Sequence, residues 1–498
     1  MNKQNIFKHT TALVLAGFLL FTAGSCSKSF LDKVPLDATT TGNAIKDEAS
    51  MYTATLGLYS SLRATDFYGR TFAIKGDLMA DACFLSSSNS GRYLGFNNYD
   101  MDKTNAYPSA IWQNAYAAIK NANFIINSGI ENNSNNISHL YAEAYAIRGM
   151  VLFDLVRNFA PPYATGSKKL GVPIVLKFDS LALPARDTVD KVYAQVLSDL
   201  NTAYTLAKYS QNGTMTFAST GVSRPMNASY MTKYAIKGLL ARVYQHMGNW
   251  TAARDAALDV VTNAVNTLVE SSGLVGYWAG TVTRSDKAET MFEVTSDANN
   301  SVSDGTLANI YVPKTFGGSY GDILATKALY DSYTATDARK ALYMDTVRSS
   351  QLGRAYYITK YPINTASYDD VKIVRYAEVL LILAEAYYNL SDETNALKYV
   401  NMVARKRDPD PAYLGYATTG TAVLESILNE RLKELAFEGY RFWDLYRLQR
   451  TFVKAQAQNS SNVISKSVTV TPSTLNMIFP IPNDEVLLNP NIKQNTGY

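Results

Sequence analysis

The chain has 498 residues, 47% hydrophobic and 18% charged, with a formal net charge of +4. Setting aside Lys3 and Lys8 leaves about +2 (4 − 2), with no basic stripe, so nothing marks a nucleic-acid binder. The composition is that of a globular chain rather than a disordered one, and its two cysteines, Cys26 and Cys83, form no disulfide framework.

In chain order, Lys3 and Lys8 precede an apolar run, Ala12 to Phe21. That run falls short of the ~20 residues a spanning helix needs and fits the core of a secretory signal. Ala23-Gly24-Ser25 then leads into Cys26, the pattern of a bacterial lipobox with Ala23 where Leu is more usual. Residues 1–25 are therefore read as a lipoprotein signal peptide and Cys26 as the lipidation site. Residues 26–43 read as a flexible tether, since Pro35 and the Thr run oppose helix there. Two or three acyl chains anchor durably where one does not. No later apolar run is long enough to cross a membrane.

Residues 44–498 read as a single, mainly α domain. Apolar residues spaced by three and four predict helices over 45–62, 109–128, 138–158 and 188–207. Further helices are predicted at 227–247, 250–266, 371–389, 393–406, 421–437 and 440–454. Asp187 or Thr188 could cap the fourth, and Pro161-Pro162 ends the third. Leu240-Ala241-Arg242-Val243-Tyr244, with Ala253 following, has the same offsets as Leu383-Ala384-Glu385-Ala386-Tyr387 with Ala396. Small and aromatic residues placed so across two helix–turn–helix units have the tetratricopeptide form, in which small residues let the helices approach.

Two long segments interrupt the helices, about 63–107 and 268–322, rich in Asp, Ser, Asn, Gly and aromatics. Such loops are functional or disordered, and the aromatics oppose disorder. A short strand is expected near Met291-Phe292-Glu293-Val294. Chemistry is scarce. His139 and His246, the only histidines after His9, lie far apart, and there is no H-E-x-x-H, G-x-S-x-G or phosphate-binding glycine loop. No catalytic residue, metal or cofactor is expected. A carboxylate-only glycosidase stays open, because two acids need only meet in space.

Arg431, Glu434, Glu438, Arg441 and Asp444 recur every three or four residues, with Arg375 and Glu378 on the neighbouring hairpin. They read as a salt-bridged helix junction rather than a catalytic cluster. The stretches Val374 to Ala386 and Arg431 to Leu445 closely resemble the SusD/RagB family of outer-membrane nutrient-binding lipoproteins from Bacteroidetes. So does the ending Phe479-Pro480-Ile481-Pro482, Glu485, Asn489-Pro490 and Gln494-Asn495. The N-terminal half agrees: Cys26 with Phe30-Leu31-Asp32, the Trp112 to Asn123 helix, and Glu143-Ala144, Ile147-Arg148-Gly149 and Phe153-Asp154-Leu155.

The resemblance implies a tetratricopeptide-like helical scaffold with a loop-rich, partly β ligand-binding region. It also implies a non-enzymatic surface lipoprotein that binds a glycan and delivers it to a SusC-like TonB-dependent transporter in the outer membrane. The same kind of binder for peptides or another nutrient is the alternative, ahead of a lipid-anchored glycoside hydrolase. The family motifs do not fix the ligand residues, so these follow from sugar chemistry: aromatic faces against C–H faces, and polar groups on hydroxyls. Trp278 leads, between Gly276 and Gly280, with Tyr277 beside it. Tyr68, Arg70, Asp66, Arg92, Tyr93, Phe96 and Tyr320 follow, with Asp81, Asn97, Tyr99 and Tyr311 as further candidates. Trp112, Trp250 and Trp443 read as core.

Overall fold

The computed structural model describes residues 44–218, 220–280, 287–349, 353–361, 363, 368–459 and 464–498. The expected signal peptide, Cys26 and the tether lie outside the described residues. Residues 47–498 form one compact unit, and residues 1–46 fall in a unit of their own.

The helices that frame the larger unit run α1 (Glu48–Ser61), α2 (Thr71–Leu78), α3 (Leu94–Asn98), α4 (Ala106–Ile126), α5 (Asn135–Phe159), α6 (Val189–Leu206) and α7 (Lys233–Met247). They continue as α8 (Trp250–Asn263), α9 (Leu274–Trp278), α10 (Leu307–Tyr311), α11 (Tyr376–Asn389), α12 (Glu393–Arg407), α13 (Thr421–Leu435) and α14 (Arg441–Arg447). Among the described residues the sheet content is five antiparallel pairs. β1 (Cys83–Leu85) pairs with β5 (Ile323–Ala325), and β2 (Thr214–Phe217) with β3 (Val222–Pro225). β4 (Thr290–Val294) pairs with β8 (Val371–Arg375), β6 (Tyr343–Ser349) with β7 (Gly353–Ile358), and β9 (Phe452–Gln458) with β10 (Ile464–Val470).

Local chemistry sets the helix ends. At α1, Asp47 accepts from Ser50 N at 2.8 Å and Ser50 Oγ accepts from Asp47 N at 3.1 Å, which satisfies two otherwise orphaned donors. Ser134 caps α5, and the chain turns extended at Ala160, ahead of Pro161. Neither Asp187 nor Thr188 caps α6. Thr188 holds the cap position, but its hydroxyl donates to the Asp190 carboxylate instead of accepting from a helix N–H, and the Asp187 carboxylate accepts from Ile174 N at 3.1 Å.

Three predicted helices lose more than a turn at one end. Residues 371–375 are strand β8, not helix, because Val371-Lys372-Ile373-Val374 is β-branched at three of four positions and pairs with β4 (Phe292↔Val374). Helix α14 stops at Arg447, and Phe452–Gln458 enters a hairpin. Residues 227–230 form an Asn227-led turn before α7, with Ser229 N donating to Asn227 Oδ1 at 2.9 Å.

The repeat packs as its spacing requires. α7 packs on α8 and α11 on α12, and α8 lies against α11. Ala241, Ala253, Ala384 and Ala396 are fully buried at these crossings, and Tyr387 stacks on Tyr399 at 5.6 Å. Gly248, at φ +72°, closes α7 in the left-handed conformation that favours glycine. The fold is the tetratricopeptide-like helical scaffold expected. Helix α5 is buried along most of its length, and its polar residues are paired inside: Glu143 with Arg224 at 2.8 Å and Arg148 with Asp199 at 2.7 Å.

The charged motif is a buried ion network. Arg375 Nε donates to Glu438 at 2.6 Å and its Nη1 to Glu434 at 2.9 Å, with Glu289 also in contact. Arg407 bridges Glu289 and Glu434, Arg339 bridges Glu430 and Glu434, and Lys360 takes Glu438 at 2.7 Å. Burial opposes ionisation of Glu434, but Arg407 and Arg375 prevail and hold its carboxyl well below the usual range. The sidedness differs from a surface ladder. Arg375 donates from the start of α11 into α13 and the turn after it, so the network ties the repeat to the C-terminal segments.

Candidate functional site

The leading aromatic candidates lie inside the fold. Gly276 is within α9 and Gly280 follows its end, so the pair does not frame a projecting loop. Trp278 is 3% exposed. Its ring carries Lys360 at 4.2 Å, Lys372 at 4.5 Å and Arg375 at 5.2 Å, and therefore roofs the ion network instead of offering a free face. Tyr277 is buried with its hydroxyl 2.6 Å from Thr290 Oγ1. Tyr68 is buried and donates to Asp154. Phe96 stacks on Phe479 at 5.4 Å, Tyr99 donates to Met79 O, and Tyr311 is buried. Asn97 accepts from Leu85 N at 3.2 Å, and Asp81 pairs with Arg441 at 2.7 Å. Large rings near a loop fill the space beneath it before they face water. Trp112 and Trp443 are core, while Trp250 is half-buried.

A second group converges at the surface. The pairing of β1 with β5 joins the two irregular segments, Cys83 opposite Ala325 and Leu85 opposite Ile323. Beyond it, Ser86 N donates to Asp322 O at 2.7 Å and Ser90 N to Asp322 Oδ1 at 2.9 Å. This brings Arg92 from the first segment over Tyr320 from the second. The guanidinium stands 4.0 Å from the ring centroid, and Nη2 donates to the Tyr320 hydroxyl at 3.1 Å. Arg92 Nη1 also donates to Ser90 Oγ at 2.8 Å. Both Arg92 and Tyr320 are half-buried, so part of each side chain reaches solvent.

Asp66, Arg70 and Tyr93 form the adjoining part. Arg70 Nε donates to the Tyr93 hydroxyl at 2.8 Å, Thr71 Oγ1 donates to Asp66 at 3.0 Å, and Arg70 lies 3.8 Å from Asp66. The Asp66 side chain is 43% exposed, whereas Tyr93 is buried. Burial pushes the Tyr93 hydroxyl up to about 12, against the pull of Arg70. Tyr93 and Tyr99 take φ of 58° and 59° at the two ends of α3. Such left-handed residues cost of order 1–3 kcal/mol each and gather at ligand sites. The sequence reading missed Tyr107. It is half-buried, its ring stacks on Tyr93 at 4.4 Å, and it feels Arg70, Asp66 and Arg92. It is the last residue of the first segment, and the helix expected from 109 in fact begins at Ala106 and carries it. The face thus offers guanidinium donors, a carboxylate acceptor and two partly exposed phenol rings, which is chemistry suited to a polyhydroxylated ligand.

The other reactive groups are buried and tied up. Among the described residues no group of three or more His, Cys, Asp and Glu could hold a metal ion. No described helix is long and apolar enough to cross a membrane. His139 accepts from Lys208 N at 3.1 Å, and burial, reinforced by Arg224, pushes it down to about 3. Burial pushes the Cys83 thiol up.

Residues 334–498 match the model described as the SusD family, and residues 29–245 match one described as starch-binding associating with outer membrane. SusD-like protein P2 of Formosa agariphila is 26% identical over 96% of this chain and 98% of that one. A Bacteroides vulgatus structure assigned as a sugar-binding protein superposes with TM-score 0.80 at 26% identity, over 91% of this chain and 99% of that chain. A SusD superfamily protein from Bacteroides thetaiotaomicron gives TM-score 0.78 at 24% identity, over 90% of this chain and all (100%) of that chain.

Proposed function

Because the chain belongs to the SusD/RagB family, we propose that it is a cell-surface lipoprotein that binds a glycan and passes it to a partner TonB-dependent outer-membrane transporter. The observation that carries the glycan reading is the joined face of Arg92, Tyr320, Asp66 and Tyr107. It combines ring edges and charge-assisted donors within reach of one another, and it is assembled from the two segments that interrupt the helical scaffold. The sugar-binding assignment of the Bacteroides vulgatus relative supports the same ligand class. Acylated Cys26 holds the protein at the outer membrane, beside the transporter.

Binding proceeds without bond cleavage. Asp66 is engaged with Arg70 and Thr71, and Asp322 with Ser90, so the carboxyls of this face are held by protein groups rather than set as a facing pair across a bond to be cut. Affinity electrophoresis against a panel of soluble polysaccharides tests this. Retardation by at least one glycan, with no new reducing ends after prolonged incubation, is expected. Retardation by none of them refutes the glycan reading, and new reducing ends refute binding alone.

A further inference from the structure

A cavity of about 210 Å³ lies between the C-terminal end of α1, the Ser229-Tyr230 turn and β4. That is far above the ~10–15 Å³ one water needs and below the ~300 Å³ at which sites for drug-sized ligands begin. Leu56, 38% exposed, stands on its rim, so the cavity opens to solvent. None of the residues lining it belongs to the Arg92–Tyr320 face.

Two of those lining residues carry a buried polar atom with no hydrogen-bond partner: Ser229 Oγ and Glu293 Oε2. Glu293 is 1% exposed and Ser229 8%. Buried polar atoms in native proteins are nearly always satisfied, by protein, water or ligand. A narrower cleft adjoins the cavity, sharing Arg63, Val294 and Thr295, and includes Asp369, whose Oδ1 is also unpartnered.

Charge decides the kind of occupant. Glu293 Oε1 already takes Lys287 Nζ at 2.7 Å, and the same ammonium meets Asp370 at 2.5 Å. Lys372 acts on both carboxylates as well, so two ammoniums balance Glu293 and Asp370, and the free Glu293 oxygen calls for a neutral hydroxyl donor rather than a cation. An anion would meet that oxygen unfavourably. Arg63 gives Nη2 to Ser60 Oγ at 2.7 Å and has further donors. Tyr59 supplies apolar wall, 5.5 Å from the Tyr230 ring and 6.2 Å from that of Phe292.

We propose that this cavity is a second ligand site, taking one small neutral polyhydroxy molecule, a single pyranose or an acyclic polyol, on Glu293, Ser229 and Arg63.

Saturation-transfer NMR on the mature chain with D-glucose, D-galactose and D-sorbitol tests this. Saturable transfer to at least one probe is expected, and it persists when the other face is disabled in Arg92→Ala and Tyr320→Ala. Affinity should fall at least about tenfold in Ser229→Ala and in Arg63→Ala, two variants that leave the Lys287–Glu293 pair intact. No transfer to any probe, equal affinity in both cavity variants, or a crystal soaked in the probes that shows only water in the cavity would each overturn the proposal. Polysaccharide retained by a protein that binds none of the three probes overturns this site and leaves the glycan function standing.

Discussion

Replacing Trp278 by alanine separates a structural ring from a ligand-facing one. The side chain is 3% exposed and its faces carry Lys360, Lys372 and Arg375. A buried Trp→Ala change costs about 3–5 kcal/mol through lost burial and the cavity left behind. Each buried cation–π contact adds as much as about 2 kcal/mol. Lys360 and Arg375 keep Glu438 as partner, however, so these contacts do not add in full. The expected loss is therefore about 4–5 kcal/mol, a large share of the ~5–15 kcal/mol by which a domain is stable. Urea denaturation followed by circular dichroism should show the midpoint falling with little change in slope. Trp278→Phe should recover part of the loss. Glycan affinity, measured well below the midpoint, should stay within about twofold of the parent, a difference under ~0.5 kcal/mol. A large loss of affinity with an unchanged midpoint would refute the burial argument and return Trp278 to the ligand site.

Arg375→Met removes one cation from among Glu289, Glu434 and Glu438 and leaves them Arg407, Lys360 and an Arg339 already shared with Glu430. A loss of about 3–5 kcal/mol is expected, partly recovered by adding Glu438→Gln, as read by denaturant midpoints. Lys75 is fully buried, 3.5 Å from the Trp443 ring centroid and 3.9 Å from that of Phe442, with no hydrogen-bond partner, and burial lowers its pKa well below 10.5. Lys75→Met should therefore be at least as stable as the parent at pH 7, and a clear fall in melting temperature counts against this. Stability should also peak on the acid side of neutrality. Burial raises Asp77 and Asp369 from 3.8 to about 7 in the folded state, so the native state binds the extra protons and stability declines as pH rises through that window. Glu430, Glu434 and Glu438 are depressed below 4.5 and act oppositely, losing their contribution as pH falls below that value. Asp77→Asn should flatten the decline between pH 4 and 7, and an unaltered pH profile would discount the buried, protonated Asp77.

Local pattern carried the scaffold well because helices are local. The spacing of Ala241, Tyr244, Ala384 and Tyr387 specified hairpins that the fold contains, and the periodicity of Arg431, Glu434 and Glu438 specified ion pairs. It did not reveal that these ions are buried. Their partners Arg339, Glu289 and Arg407 come from segments with no periodic relation to them. The strand at 371–375 was hidden by the strongly helical run behind it, and only its partner at 290–294 makes it a strand. The surface site was legible in part for the same reason. Both insertions and several of their polar residues could be chosen by chemistry. Which rings turn inward depends on the pairing of Cys83–Leu85 with Ile323–Ala325, and that pairing spans nearly half of the chain. Trp278 illustrates the cost of reading glycines locally: Gly276 sits inside a helical turn, not on a loop.

The most direct test of the account is calorimetric titration of a retained oligosaccharide into the parent, Arg92→Ala and Tyr320→Ala proteins. The two residues meet across the segment junction at 4.0 Å and are half-buried, so neither change should unfold the chain. Each variant should lose about 1–3 kcal/mol of binding, the cost of an unmade hydrogen bond to a charged group or of a lost ring face, with melting temperature close to the parent. Full affinity in both variants would contradict it.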